Sequence, residues 1–293
     1  IGKKWGFTPF FLDLNRISPT LRLSDGSHPL ILIAKEAKSM RLALIPVVGL
    51  NRHVTYKAAV KSVAKILGNG ICIRVYRKDL EHRNFPMELL NLCSTLGVAP
   101  KDVDLIIDLE VTADSNTPYV QLCREIPKLT KWRTFTVASG AFPKNLEKIT
   151  KNSQRQLSRS DYLSWRDQVT ARPRLPRKPS FGDYTIQCPI YSITKEGFLN
   201  PSASIRYTAS DYWLIMRGEG LYSDNSPGHA QYPAQALLLC EQKEFRGVKF
   251  SAGDKYIKQT SLDSKHPGTP KSWISAGINH HLTFVARQIS TMP

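Results

Sequence analysis

At 293 residues, of which 41% are hydrophobic and 22% charged, the chain has the composition of a globular protein with a real core, and its length suits one large α/β barrel or two ordinary domains. The longest apolar stretch, around Leu42 to Leu50, is far short of the roughly 20 residues a membrane span requires, and no basic-then-apolar leader opens the chain, so a cytoplasmic location and no membrane partner are expected. The 41 Lys and Arg against 24 Asp and Glu leave a formal charge of +17, which draws polyanions at long range.

The chain opens on Ile1 rather than Met, so a preceding segment is expected, and Pro9 to Leu14 (PFFLDL) already reads as a strand. Asp25-Gly26 marks a turn, and Pro29 stands at the first position of a helix (HPLILIAKEAKSM), where its missing N–H is no loss. Leu42 to Val48 is the next apolar run, followed by a helix over Thr55 to Leu67 that Gly68-Asn69-Gly70 stops. Gly70 to Val75 (GICIRV), a helix from near Pro86 to Gly97, and Asp102 to Glu110 (DVDLIIDLE) continue the alternation. The last of these is apolar and rich in β-branched residues until it ends in two carboxylates, the pattern of a strand buried on both faces. A helix from Pro118 to about Lys131 should break at Pro127, and Thr134 to Ala138 (TFTVA) follows.

Helices are expected near Pro143 to Thr150 and Ser160 to Thr170, after which a Pro- and Arg-rich connector, Arg172 to Pro179, leads to Phe181 to Ile186 (FGDYTI). That connector marks either a domain boundary or a long βα excursion. Ala203 to Thr208 and Tyr212 to Arg217 face each other across Ala209-Ser210-Asp211 as a hairpin. A helix from about Gln231 to Lys243, a Gly-containing loop (FSAGDKYI) and a final amphipathic helix, His280 to Ile289, complete the chain. Seven runs, those at Pro9, Leu42, Gly70, Asp102, Thr134, Phe181 and Trp213, are expected as strands of a single, mostly parallel sheet; the spacing of roughly 30 residues per unit is that of a βα repeat.

Charge is concentrated between Lys144 and Lys178, where ten basic residues (Lys144, Lys148, Lys151, Arg155, Arg159, Arg166, Arg172, Arg174, Arg177, Lys178) face three acidic ones. This segment reads as a solvated helical face with a basic linker, or as a surface for nucleic acid or an acidic partner. The five cysteines are odd in number, scattered and without a C-x-x-C pair, which predicts free thiols.

In sequence and in order, the strings DLNRI, LRLSDGSHPL, IPVVGLNR, GICIRV, DLIIDL, WRTFTVASGAFP, PSFGDYTI, SIRYTASDYWLIMRGEG, FSAGDKYI and SWISAGINHHLT resemble the Beta protein family of bacteria and prophages. The resemblance covers essentially the whole chain. It implies a TIM-barrel-like (β/α)8 fold, and with the pattern of this chain a single domain over residues 1–293 is expected, its charge pattern adding a basic helical excursion at about 143–178. It also implies a further strand unit ahead of Ile1, without which this chain lacks the first strand of the barrel, and a setting in prophage loci linked to anti-phage defence. It supplies no established reaction.

In α/β barrels the ligand site gathers at the carboxyl ends of the strands, which here collects Asp13, Arg74, Asp108, Glu110, Asp183 and Arg217. Burying a lone ion costs several kcal/mol or more, so each should pair with another or with a ligand. The residues leave both outcomes open: salt bridges that close the mouth, or an anion or metal site. Asp108 and Glu110, two apart on a strand, project to one face and with Asp13 or Asp183 can hold Mg²⁺ through oxygen ligands. Catalytic roles therefore fall to Asp13, Asp108, Glu110 and Asp183, and anion binding to Arg74, Arg206, Arg217 and Lys255, the last within a Ser251–Lys255 turn whose backbone N–H groups can face a phosphate.

His280-His281, expected at a helix start after Gly277, reads as capping or packing, because neighbours on a helix point about 100° apart. His28 reads as the cap of the following helix or a loop contact, with an acid or base role at the site as the alternative. HExxH, Walker, GxGxxG and Ser-elbow motifs are missing, so those chemistries have no motif support. The leading expectation is a defence enzyme acting on a phosphate-bearing substrate, a nucleotide or nucleic acid. Its alternative is a non-enzymatic module that binds nucleic acid or the protein products of neighbouring defence genes.

Overall fold

The structure is a computed structural model that describes residues 5–112, 117–170, 175–190, 200–222 and 224–292. In chain order its strands are β1 (Phe10–Leu12), β2 (Leu44–Val48), β3 (Ile71–Tyr76), β4 (Val103–Val111), β5 (Thr134–Gly140), β6 (Ser153–Ser158), β7 (Ser180–Asp183), β8 (Ser202–Thr208) and β9 (Tyr212–Gly220). The helices are α1 (Pro29–Ser39), α2 (Val54–Leu67), α3 (Arg77–Leu80), α4 (Phe85–Leu96), α5 (Tyr119–Arg124), α6 (Ser160–Trp165), α7 (Gln231–Cys240), α8 (Ala252–Leu262) and α9 (Pro270–Ser290).

The chain divides into two compact units, one of Ile1–Leu109, Pro118–Ala138 and Arg166–Gly182, the other of Glu110–Thr117, Ser139–Trp165 and Asp183–Pro293. The strands β1-β2-β3-β4-β5-β7 lie side by side in that order in a curled, parallel half-barrel. In the first unit β1 to β4 pair in parallel, with Cys72 opposite Val47 and Arg74 opposite Ile106. β2 is buried throughout, as its uninterrupted apolar sequence requires. Between strands the helices obey their caps: Nδ1 of His28 accepts the Leu30 amide at 3.1 Å ahead of Pro29, while Gly68 and Gly97 end α2 and α4 in the left-handed conformation. α5 stops at Arg124, and a separate 3₁₀ turn at Leu129–Lys131 follows Pro127.

The parallel strands form a half-barrel and not a full TIM barrel, and the expected single sheet is corrected to two. Six of the seven expected runs join the half-barrel, but Trp213 to Arg217 belongs to β9, the centre of a three-stranded antiparallel sheet ordered β6-β9-β8. The expected β8–β9 hairpin is present, with the Ala209 amide bonded to the Tyr212 carbonyl at 2.8 Å. Its alternation buries Ala203, Ile205, Tyr207, Leu214 and Met216 under α7, α8 and α9, while Trp213 and Ile215 pack on the other face with Phe142 and Ile149.

Of the two helices expected in the basic segment the first is not formed: 141–150 holds only bends and turns, and 153–158 is an edge strand. The second is present over 160–170 as α6 continued by a π-helical turn, 166–170, and Arg172 and Arg174 lie outside the described residues. The expected FSAGDKYI loop is the start of α8, and α9 begins ten residues before His280, at a Thr269 capping box with Pro270 in its first position. The cysteines are free thiols, with Cys72, Cys93 and Cys123 buried. Among the described residues no helix is long and apolar enough to cross a membrane.

Candidate functional site

In the first unit the strand ends carry a ladder of ion pairs. Asp13 follows β1, Arg52 follows β2, Arg74 lies near the end of β3 and Asp108 near the end of β4. Arg52 Nη2 donates to both oxygens of Asp13, at 2.8 and 3.0 Å. Arg74 bridges the two acids, with Nη1 at 3.0 Å from Asp13 Oδ2 and Nε at 2.7 Å from Asp108 Oδ2. Tyr76 stacks beneath the Arg74 guanidinium at 5.1 Å, and its hydroxyl accepts from Asn15. Asp108 is 2% exposed, whereas Asp13 and Arg74 are 16% and 22% exposed, so solvent reaches one end of the ladder. At the opposite end of β4 a further pair, Asp104 with Arg133 at 2.6 Å, ties strand to strand.

Glu110 does not share a face with Asp108. Its φ of 54° places it in the left-handed region, which breaks the strand alternation, and it is exposed. Among the described residues no group of three or more His, Cys, Asp or Glu has the arrangement to hold a metal ion.

In the second unit four separated strings meet around two histidines. His281 Nε2 lies 2.8 Å from Asp183 Oδ2 and its Nδ1 2.8 Å from the Thr208 hydroxyl. His280 Nδ1 lies 2.9 Å from Asp254 Oδ2, and its Nε2 donates to the Thr208 carbonyl at 2.9 Å. Tyr207 stacks on His280 at 3.8 Å and donates to Asp254 at 2.7 Å. A ring bonded to a carboxylate on one side and a backbone carbonyl on the other is a double donor, so His280 and Asp254 form a buried ion pair. Burial alone would raise the Asp254 carboxyl, but the hydrogen bond and charge of His280, with Ser251 and Tyr207, hold it below its ordinary value. For Asp183 burial again raises, and His281 more than offsets it.

α8 reaches α9 closely because Gly253 has no side chain: a Cβ there would lie 2.1 Å from the Ala276 carbonyl oxygen. The amides expected to face a phosphate are engaged, Gly253 with Asn279 Oδ1 at 2.7 Å and Asp254 with its Ser251 cap at 3.1 Å. Lys255 is exposed on α8. His280 and His281 pack mid-helix, not at a helix start.

A family model described as Beta protein matches residues 1–287. The chain belongs to the Beta protein family. No curated protein and no solved structure matches it. Of the strings that mark the Beta protein family resemblance, FGDY brings Asp183, SIRYT brings Tyr207 and Thr208, FSAGD brings Ser251 and Asp254, and NHHL brings the histidines, so the shared sequence encodes one buried network.

The remaining cations lie elsewhere in the second unit. Arg206 packs over the Phe142 ring at 4.8 Å and donates to the Ile186 carbonyl at 2.8 Å; burial pushes it down to about 10, still protonated at neutral pH. Arg217 caps the carbonyls of Leu146, Glu147 and Ile149. Arg159, which the sequence groups with the basic surface, is fully buried and bonds the Ala209 and Ser210 carbonyls. Asp161 is also missed by sequence reasoning: burial lifts its carboxyl to about 6 despite the amides of Tyr162 and Ala141 that bond it. Arg52 is legible as the residue just past a strand end, in the string IPVVGLNR.

Proposed function

We propose that the protein is a non-enzymatic module that binds nucleic acid, in the anti-phage setting the family resemblance implies, and that its strand-end carboxylates hold the fold. The pairing of Asp13 with Arg52 and Arg74, and of Asp108 with Arg74, supports this reading. A general base or metal ligand needs a lone pair directed at the reacting atom, and both oxygens of Asp13 and Oδ2 of Asp108 accept from guanidinium groups. Asp183 is likewise engaged by His281. The basic side chains differ. Lys148, Lys151 and Arg155 of the second unit are exposed, as a polyanion-binding surface requires.

Binding to a short DNA duplex, measured over a range of salt concentrations, tests the reading. The K148Q/K151Q/R155Q variant should bind more weakly, and its plot of log K against log salt should flatten by about 0.9 for each phosphate no longer neutralised. If the unmodified protein binds neither DNA nor RNA at low salt, the nucleic-acid reading falls and an acidic protein from a neighbouring defence gene becomes the partner to test.

A further inference from the structure

Within the second unit, the β8–β9 hairpin and the 144–147 loop enclose a cavity of about 400 Å³ lined by Lys144, Glu147, Ser202, Ser204, Arg206 and Arg217, among others. The hairpin register explains why polar groups converge there. Ser202, Ser204 and Arg206 alternate along one face of β8, and Arg217 of β9 stands directly opposite Ser204 on that face. The intervening Ala203, Ile205 and Tyr207 fill the core on the other side.

Among the described residues, cations outnumber acids in this cavity. Three of the six named side chains are cations and one is a carboxylate, the exposed Glu147. Neither arginine forms an ion pair among the described residues: Arg206 Nη1 and Arg217 Nη1 both donate to neutral carbonyls. Arg206 Nε is buried and makes no hydrogen bond within the protein. A buried donor without an acceptor costs about 1–3 kcal/mol, and a cation held against an aromatic ring with no acid beside it is a standing attraction for an anion.

We propose that this cavity binds a small phosphate-bearing molecule, a phosphomonoester of about mononucleotide size, with Arg206, Arg217 and Lys144 around the phosphate and the hydroxyls of Ser202 and Ser204 donating to its oxygens. The volume lies in the range of roughly 300–1,000 Å³ that encloses small ligands. This site is independent of the exposed lysines and arginine assigned above to nucleic acid.

Titration calorimetry with adenosine monophosphate, inorganic phosphate and adenosine tests the proposal on the whole chain. Adenosine monophosphate should bind and adenosine should not. K144E, on an exposed loop where it leaves the fold intact, and S204D, which sets a carboxylate on the cavity floor, should each weaken binding at least about tenfold, while K148Q/R155Q leaves it unchanged. Inorganic phosphate binding as tightly as the nucleotide would assign the same site to free phosphate; weaker binding assigns it to the ester. Failure of both phosphates to bind, or nucleotide binding that K144E and S204D leave unaltered, would overturn the proposal.

Discussion

The two units pair their buried and half-buried acids with different partners. In the first, Asp13 and Asp108 meet Arg52 and Arg74 at strand ends that solvent still touches. In the second, Asp183 and Asp254 meet His281 and His280, both histidines fully buried in the middle of α9. Arginine is permanently charged and reaches across strand ends on a long stem, so its pairs tolerate water and exchange. A buried histidine is fixed in place, and its charge depends on the pairing carboxylate. The strand-end ladder is therefore the adaptable region and the histidine network the rigid one.

The largest effect should come from Asp254→Ala, which leaves His280 buried without its acid and its Tyr207 and Ser251 donors unpaired. A loss of roughly 3–5 kcal/mol in urea unfolding is expected; a loss below about 1 kcal/mol would mean the network is not rigid, on the scale of ordinary exposed pairs. Arg74→Gln should cost less, roughly 1–3 kcal/mol, because Asp108 loses its guanidinium while Asp13 keeps Arg52. Gly253→Ala should cost a comparable roughly 1–3 kcal/mol by forcing α8 away from the Ala276 carbonyl. Arg52→Gln, acting on a pair that solvent reaches, should cost about 1 kcal/mol or less.

Acid titration sharpens the contrast through the second unit alone. Asp183 and Asp254 titrate below 3.8 in the folded protein, so the stability they contribute is present above that pH and is lost as the pH falls through their folded values. Asp161 behaves oppositely. Raised from 3.8 to about 6, it binds its proton more tightly when folded, so stability declines as the pH rises between those values. Urea midpoints measured across this range should show both windows. Asp161→Asn should remove the upper one only; a profile that stays unchanged in that variant would contradict the assignment.

The half-barrel is legible in the sequence because its strands are apolar runs bounded by helix stops: Ile71, Ile73, Val103 and Leu105 are fully buried, as their pattern requires. The second, antiparallel sheet is not. β6 reads SQRQLS, a polar edge strand with Gln154, Arg155 and Gln156 exposed, and no hydrophobic alternation betrays it. Gly253 and Gly277 read as loop and helix-start signals, yet each permits a close approach: a Cβ on Gly277 would sit 2.8 Å from the Arg206 carbonyl oxygen. The true start of α9 carries its own signal in Thr269-Pro270. At the site, residue types at strand ends locate Asp13, Arg74 and Asp108 correctly as a cluster, but long-range partners such as Asp254 for His280, 26 residues apart, follow only from the packing of α8 on α9.

The central claim is that the strand-end acids hold structure while exposed basic side chains carry binding. It is tested most directly by measuring duplex DNA affinity for two folded variants beside the unmodified protein. R74M/D108L replaces a buried ion pair by apolar side chains, a change that is often neutral for stability, and leaves Asp13 paired with Arg52. It should bind as the unmodified protein does, while K148Q/K151Q/R155Q binds more weakly with a flatter salt dependence. The reverse ranking, with binding abolished in R74M/D108L and kept in the surface variant, would contradict it and place function at the strand ends.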